Sequence, residues 1–138
     1  MRISARVQNS LGRNKIELKT GDQSHSIVIA PRSSGYGSSA NGGELLCLAL
    51  AACYCNDVYR QAAKRKVTVE SVEVEVESEF GAEVEPGKNV SYRARVVARA
   101  SEATIRELMT STDTLAEIHN TLRVATPVVL SQTEAIPA

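Results

Sequence analysis

One stretch of this sequence decides the fold: Asn41-Gly42-Gly43-Glu44-Leu45-Leu46-Cys47-Leu48-Ala49-Leu50-Ala51-Ala52-Cys53-Tyr54-Cys55. It opens with the spacing of a capping box. The Asn41 side chain can accept a hydrogen bond from the Glu44 N–H, and the Glu44 side chain can reach back to the Asn41 N–H. No residue from Leu45 to Cys53 is polar, which is typical of a helix inside a core. The stretch therefore predicts a buried central helix over residues 42–65, too short and too interrupted by polar residues to span a membrane.

The totals of the chain set limits on its function. A length of 138 residues predicts a single domain over residues 1–138 with a substantial core. Sixteen basic and sixteen acidic residues leave no net charge, so the electrostatics favour neither nucleic acid nor a membrane surface as a partner. The first residues, Met1–Arg6, contain no apolar signal-peptide core. We therefore expect a cytoplasmic protein.

Alternating patterns predict the other elements. Three strand-like pieces precede the helix, and their apolar positions are Ile3, Ala5 and Val7, then Ile16 and Leu18, then Ile27 and Ile29. A long hairpin follows the helix. Ser101 opens another helix, residues 111–113 cap a short third one, and Leu122–Leu130 forms a closing edge strand interrupted by Pro127. This order predicts an α+β fold with mostly antiparallel pairing.

The predicted hairpin carries opposite charges on one face, with Glu73, Glu75, Glu77 and Glu79 on its first strand and Arg93, Arg95 and Arg99 on its second. A turn centred near Glu85 would place Glu77 opposite Arg93 and Glu75 opposite Arg95. Such pairs contribute about 0.2–1 kcal/mol each and help to fix the register. Because exposed pairs contribute so little, we interpret this face as solvated rather than as a binding patch.

Three cysteines lie on the predicted helix, at positions 47, 53 and 55. At about 100° of rotation per residue, no two of them approach closely enough for a disulfide unless the helix breaks. Their spacing fits no zinc motif, and we expect neither a cofactor nor a metal. One alternative would make Cys53, Asp57 and His119 metal ligands. A second is that the thiols are simply buried small side chains.

The reactivity of Cys53 depends on a nearby positive charge, because the thiolate is the nucleophile. Asp57, one turn further along the helix, would raise the thiol pKa, whereas Arg60 would lower it but is distant. The cation could instead be Arg13, in the turn before the second strand, or Arg32, in the loop after the third. Both are also readily explained as ordinary exposed loop residues.

Five segments carry a resemblance to a known family: Gly37–Leu46, Leu48–Cys53, Val69–Val74, Thr121–Arg123 and Thr126–Val128. The first two resemble the central-helix signature of the OsmC/Ohr family, the osmotically inducible and organic-hydroperoxide-resistance proteins. The third resembles the strand that follows in that family, and the last two resemble its closing segment. The order of elements also agrees, so the resemblance spans nearly the whole chain.

The resemblance implies an intertwined α+β homodimer, with antiparallel sheets around long central helices, that reduces hydroperoxides at the subunit interface. Cys53 falls on the position of the cysteine that attacks the O–O bond and becomes a sulfenic acid. Arg13 or Arg32 falls on that of the arginine that holds the thiolate. Ala116 occupies the place of the family's second cysteine, and Gly43 occupies that of its glutamate.

The leading hypothesis is therefore a thiol peroxidase of oxidative-stress defence that works with Cys53 alone. Its partners would be an organic hydroperoxide and an external thiol that reduces the sulfenic acid. The alternative is a non-catalytic dimer of the same fold. In that case the interface pocket binds a small apolar or electrophilic molecule, and Cys53 is packed in its wall.

Overall fold

The computed structural model describes residues 1–138 and contains two antiparallel sheets and three helices. The predicted α+β class is confirmed. In chain order the elements are β1 (Ile3–Ser10), β2 (Arg13–Thr20), β3 (Gln23–Ile27), α1 (Gly42–Lys64), β4 (Thr68–Glu79), β5 (Lys88–Arg99), α2 (Glu102–Leu115) and α3 (Glu117–Arg123). The chain forms two compact units, Met1–Leu46 and Cys47–Ala138, and the boundary between them falls inside α1. No helix is both long enough and apolar enough to cross a membrane.

The N-terminal unit is a three-stranded sheet in the order β1-β2-β3. Gly12 and Gly21 close its two hairpin turns at φ values of 69° and 57°, a conformation that favours glycine. The register sets Val7 opposite Ile16, and Ile16 opposite Ile27, so the predicted apolar positions share one face. Among these cross-strand partners only Ile16, on the central strand, is buried, with 6 % of it exposed, whereas Val7 is 61 % exposed.

Helix α1 begins at the predicted cap and ends one residue before the predicted end. The Glu44 N–H donates to Asn41 Oδ1 over 2.8 Å. The second arm of the box differs from the prediction, because Glu44 Oε1 accepts from the Asn41 side-chain amide, also over 2.8 Å, and not from the Asn41 backbone. The apolar run is less buried in the single chain than the sequence predicts. Leu48 is 60 % exposed, whereas the buried α1 residues start at Leu50 and recur at helical spacing towards the C-terminal end.

The core of the second unit lies between α1, α2 and the β4–β5 hairpin. It contains Tyr54, Val58 and Ala62 of α1 and Leu108 of α2, and the half-buried valines of the hairpin pack against them. The α1 members are four residues apart and therefore share one face. The glutamates and arginines of the hairpin point away from this core and are exposed, as predicted.

The hairpin register differs from the predicted one by two residues. Glu75 lies opposite Arg93, and Glu73 lies opposite Arg95. Arg93 Nη2 is 2.6 Å from Glu75 Oε2. The centre of the pairing lies one residue nearer the N-terminus than predicted, and a shift of one residue at the turn moves each cross-strand pair by two. The alternation of faces has a period of two, so the charged face survives this error.

The C-terminal part differs most from the prediction. Helix α2 continues through residues 111–113, where a new cap was expected, and the Thr112 hydroxyl donates to the Leu108 carbonyl over 2.7 Å within the helix instead of capping a new one. The expected edge strand over Leu122–Leu130 is wrong. Leu122 lies in α3, which Arg123 holds against α2 through Asp113 Oδ1 at 2.8 Å. Residues 126–138 have no regular secondary structure.

Candidate functional site around Cys53

Cys53 lies on α1 with a carboxylate as its hydrogen-bond partner. The Sγ–H group donates to Asp57 Oδ2 over 3.6 Å. The two residues are four apart in the sequence, so the helix brings their side chains together on one face. Cys53 is itself half-buried, whereas Asp57 is only 3 % exposed. The sequence-predicted interaction between them is present.

Asp57 uses its two carboxylate oxygens for different partners. Oδ1 forms an ion pair with Arg60 Nη2, one turn further along α1, while Oδ2 faces the Cys53 sulfur. Burial of an unpaired carboxylate is costly, and the half-exposed Arg60 supplies the compensating charge. From the sequence, Arg60 was expected to be only a distant influence on Cys53. Its spacing of three residues from Asp57 was the signal for this ion pair.

The surroundings of Cys53 raise the pKa of its thiol. Burial is the largest cause, and the negative charge and the hydrogen bond of Asp57 act in the same direction. The backbone N–H groups of Ile118 and Glu117, at the start of α3, lower the pKa but do not outweigh the other contributions. The contacts within this unit therefore oppose formation of the thiolate.

Cys47, Cys53 and Cys55 are all free thiols. Cys47 Sγ lies 3.3 Å from Ser78 Oγ of β4, so its contact is with a hydroxyl and not with another sulfur. No group of three His, Cys, Asp or Glu side chains is close enough together to hold a metal ion. Cys53, Asp57 and His119 thus do not form the metal site that was considered as an alternative.

The two candidate arginines both belong to the N-terminal unit. Arg13 opens β2, and its carbonyl accepts a hydrogen bond from Asn9 Nδ2 over 3.1 Å. Arg32 lies in the loop that follows β3, and its side chain crosses Gly37, where a Cβ atom would come within 3.2 Å of Arg32 Nε. At φ +100° Gly37 also has a backbone conformation that side chains disfavour. The pairing of either arginine with Cys53 stays a prediction.

Two residues stand where the resemblance leads one to expect catalytic groups. Ala116 is fully buried and directly precedes the two residues whose N–H groups act on the Cys53 sulfur. The position assigned to the family's second cysteine therefore adjoins, in the sequence, the residues whose backbone acts on Cys53, but it carries only a methyl group. Gly43 lies in the first turn of α1 and has no side chain to contribute.

A second polar cluster was missed by the sequence analysis. His119 of α3 is 5 % exposed, and neither of its ring nitrogens has a hydrogen-bond partner. Its ring lies edge-on to Tyr92, with 4.8 Å between the ring centroids. The Tyr92 hydroxyl donates to Asp113, which also accepts from Arg123. His119, Tyr92 and Arg123 border an open cleft of about 480 Å³, whose apolar wall includes Leu50, Val76, Val90 and Leu122.

The comparisons with known proteins agree with this architecture. An organic hydroperoxide resistance protein from Legionella pneumophila is 18% identical, with 89% of this chain and 90% of that chain covered and a TM-score of 0.59. One from Vibrio cholerae, solved with captopril in one of its active sites, is 21% identical over 91% of this chain and 86% of that chain, with a TM-score of 0.57. OhrB of Bacillus subtilis is 15% identical over 91% of this chain and 93% of that chain, with a TM-score of 0.55.

These likenesses show the fold. No curated protein matches the sequence. The family model described as OsmC-like protein matches residues 35–131, which is most of the chain. The protein therefore belongs to the OsmC-like family.

Proposed function

We propose that this protein reduces organic hydroperoxides in the cytoplasm with Cys53 as its one reacting cysteine, as part of oxidative-stress defence. In this proposal residues 1–138 act as one domain. The observation that carries the proposal is the position of Cys53 on α1, half-buried and hydrogen-bonded to Asp57. Family membership supports it, as do structural neighbours described as organic hydroperoxide resistance proteins.

The reaction has two stages. The Cys53 sulfur attacks one peroxide oxygen, the O–O bond breaks, and the products are a sulfenic acid on Cys53 and an alcohol. Since Ala116 offers no second thiol, an external thiol condenses with the sulfenic acid and releases water. A second external thiol then attacks the mixed disulfide and restores Cys53. The hydroperoxide is reduced by two electrons, and two external thiols are oxidised to a disulfide.

We expect a positive charge near Cys53 to stabilise the negative charge that develops on the sulfur as its proton leaves, since the contacts within its own unit raise the thiol pKa. We propose that Arg13 or Arg32 supplies it in an intertwined homodimer. Apolar surface left open in the single chain supports the dimer. Leu48 on α1 and Ile3 and Val7 on β1 are all more than half exposed, and surfaces of this kind are typical of subunit interfaces.

The first prediction concerns which cysteine reacts. Brief exposure to stoichiometric cumene hydroperoxide in the presence of dimedone should label Cys53, because the sulfenic acid forms there. Cys47 and Cys55 are internal controls and should stay unlabelled in peptide mass spectrometry. If the relevant arginine is Arg32, Arg32→Gln slows labelling and Arg13→Gln does not, and the reverse holds for Arg13. Slow oxidation that is spread over all three thiols would contradict the proposal.

Two observations favour a second function. The raised pKa of Cys53 and the methyl group of Ala116 also suit a dimer that binds a small apolar or electrophilic molecule without turnover. The Vibrio cholerae protein was solved with captopril in one of its active sites. In this case Cys53 stays unlabelled after hydroperoxide and dimedone, whereas a small apolar or electrophilic molecule protects Cys53 from alkylation in the native protein.

A further inference from the structure

We propose that Asp57 is a catalytic base in this reaction: it takes the proton from Cys53 as the sulfur attacks the peroxide and passes it to the departing oxygen. This inference rests on the hydroperoxide-reductase function proposed above. It assigns a role to a carboxylate that would otherwise only hinder the chemistry, because a negative charge beside a thiol opposes formation of the thiolate.

The geometry is that of a nucleophile with an adjacent base. Asp57 Oδ2 lies 3.6 Å from Cys53 Sγ and accepts its hydrogen bond, so the reacting atom and the proton acceptor are already in contact. Asp57 Oδ1 is held by Arg60. A base whose second oxygen is fixed by a third group has a defined orientation towards the nucleophile.

The burial of Asp57 bears on whether it is a base or only packs against Cys53. Asp57 is 3 % exposed, and a buried carboxylate is retained only where other groups compensate its charge. Arg60 from α1 is the compensating ion, and Asp57 also acts electrostatically on His119 from α3. A side chain that only filled space beside Cys53 could be uncharged and would then need no compensating ion.

The proton and the electrons balance in a single step. A lone pair on the Cys53 sulfur forms the S–O bond to the terminal peroxide oxygen, and the O–O bond breaks towards the alkyl-bearing oxygen. Asp57 Oδ2 receives the thiol proton as the S–O bond forms and gives it to the alkoxide that departs. Cys53 is oxidised to the sulfenic acid, the hydroperoxide becomes an alcohol, and Asp57 ends as the carboxylate that it was at the start.

Asp57→Asn tests the proposal, because a catalytic base and a carboxylate that only suppresses the thiolate predict opposite results. Asparagine removes the charge, so alkylation of Cys53 by iodoacetamide at neutral pH should become faster. The same substitution removes the base, so labelling by cumene hydroperoxide and dimedone should become slower, by about 100-fold or more. Faster reaction with both reagents would overturn the proposal, since Asp57 would then act only by suppressing the thiolate.

Two further measurements keep the test independent of the folding of the variant. Arg60→Gln retains the base but frees its second oxygen, and it should slow peroxide labelling less than Asp57→Asn does. In the unmodified protein, the peroxide rate should change little between about pH 6 and pH 8, whereas alkylation rises about tenfold per pH unit below the thiol pKa. A parallel rise of both rates would sink the proposal. Failure of the unmodified protein to form a sulfenic acid on Cys53 would instead refute the proposed function itself.

Discussion

His119 shows how a single buried residue ties stability to pH. Burial and the positive charge of Arg123 lower the pKa of this imidazole below its ordinary value of 6.5, against the opposing carboxylates of Asp113 and Asp57. The unfolded chain therefore binds the proton more tightly than the folded protein does. The contribution of His119 to stability is complete above about pH 6.5 and is lost progressively as the pH falls below that value.

We expect urea unfolding to show this directly. The free energy of unfolding should be smaller at about pH 5.5 than at about pH 7.5. His119→Phe keeps a ring beside Tyr92 and removes the titrating group, so it should reduce the difference between the two pH values. The control is His25→Gln, which removes the exposed histidine of β3. An unchanged difference in His119→Phe would show that other groups cause the pH dependence.

The residues around Cys53 were only partly predictable. The effect of Asp57 follows from a spacing of four residues on a helix, which depends on sequence alone. The approach of the α3 backbone to the sulfur depends on the packing of elements more than sixty residues apart, and no local pattern contains it. For the same reason, the burial of His119 against the packed pair of Tyr54 and Tyr92 was not foreseen.

Among the elements, α1 has the clearest start signal. Asn41 Oδ1 accepts the Glu44 N–H, and the Asn41 amide donates to the Glu44 carboxylate. Asn41→Ala removes both bonds and should reduce the free energy of unfolding by about 1 kcal/mol. Asn56→Ala, at an exposed position within the same helix, is the matched control. It should leave stability unchanged or slightly increased, because alanine has the higher helix propensity. Equal losses in the two variants, measured by thermal or urea unfolding, would argue against the cap.

The capping box and the continuous apolar run made α1 predictable, and strong alternation did the same for the N-terminal strands and the hairpin, whereas weak or mixed signals account for the errors. The hairpin register depended on the loop over residues 80–87, which has no two-residue turn motif to fix it. The residues taken for an edge strand begin with Leu122 and Arg123, which instead form the end of α3 (Glu117–Arg123). Apolar residues in a short alternating pattern are compatible with either element until their packing partners are known.

At the scale of the whole molecule, apolar surface on α1 and β1 predicts a second copy of the chain. A large apolar side chain that becomes fully buried contributes about 1.5–3 kcal/mol, and Leu48 is 60 % exposed in the single chain. Sedimentation equilibrium should therefore give the mass of a dimer. Leu48→Glu should shift the protein towards the monomer.

Lys64→Glu, at the exposed end of the same helix, changes charge without altering this apolar surface and should remain dimeric. A monomeric unmodified protein, or a Leu48→Glu variant with unchanged mass, would contradict the dimer.

The sequence predicted the folding class and the central helix but overestimated burial of the run from Leu45 to Cys53. A run of apolar residues indicates that water is excluded, and a partner chain can exclude it as well as the same chain can.

The buried methyl group of Ala116 has a consequence for the fate of the proposed enzyme under sustained stress. Since no thiol stands beside Cys53 to capture the sulfenic acid, the lifetime of that oxidised form is set by the supply of reductant from outside. When reductant runs low, a second peroxide molecule competes for the same sulfur and carries it to the sulfinic acid, which is not ordinarily reversible. The ratio of thiol to peroxide then decides between turnover and permanent inactivation.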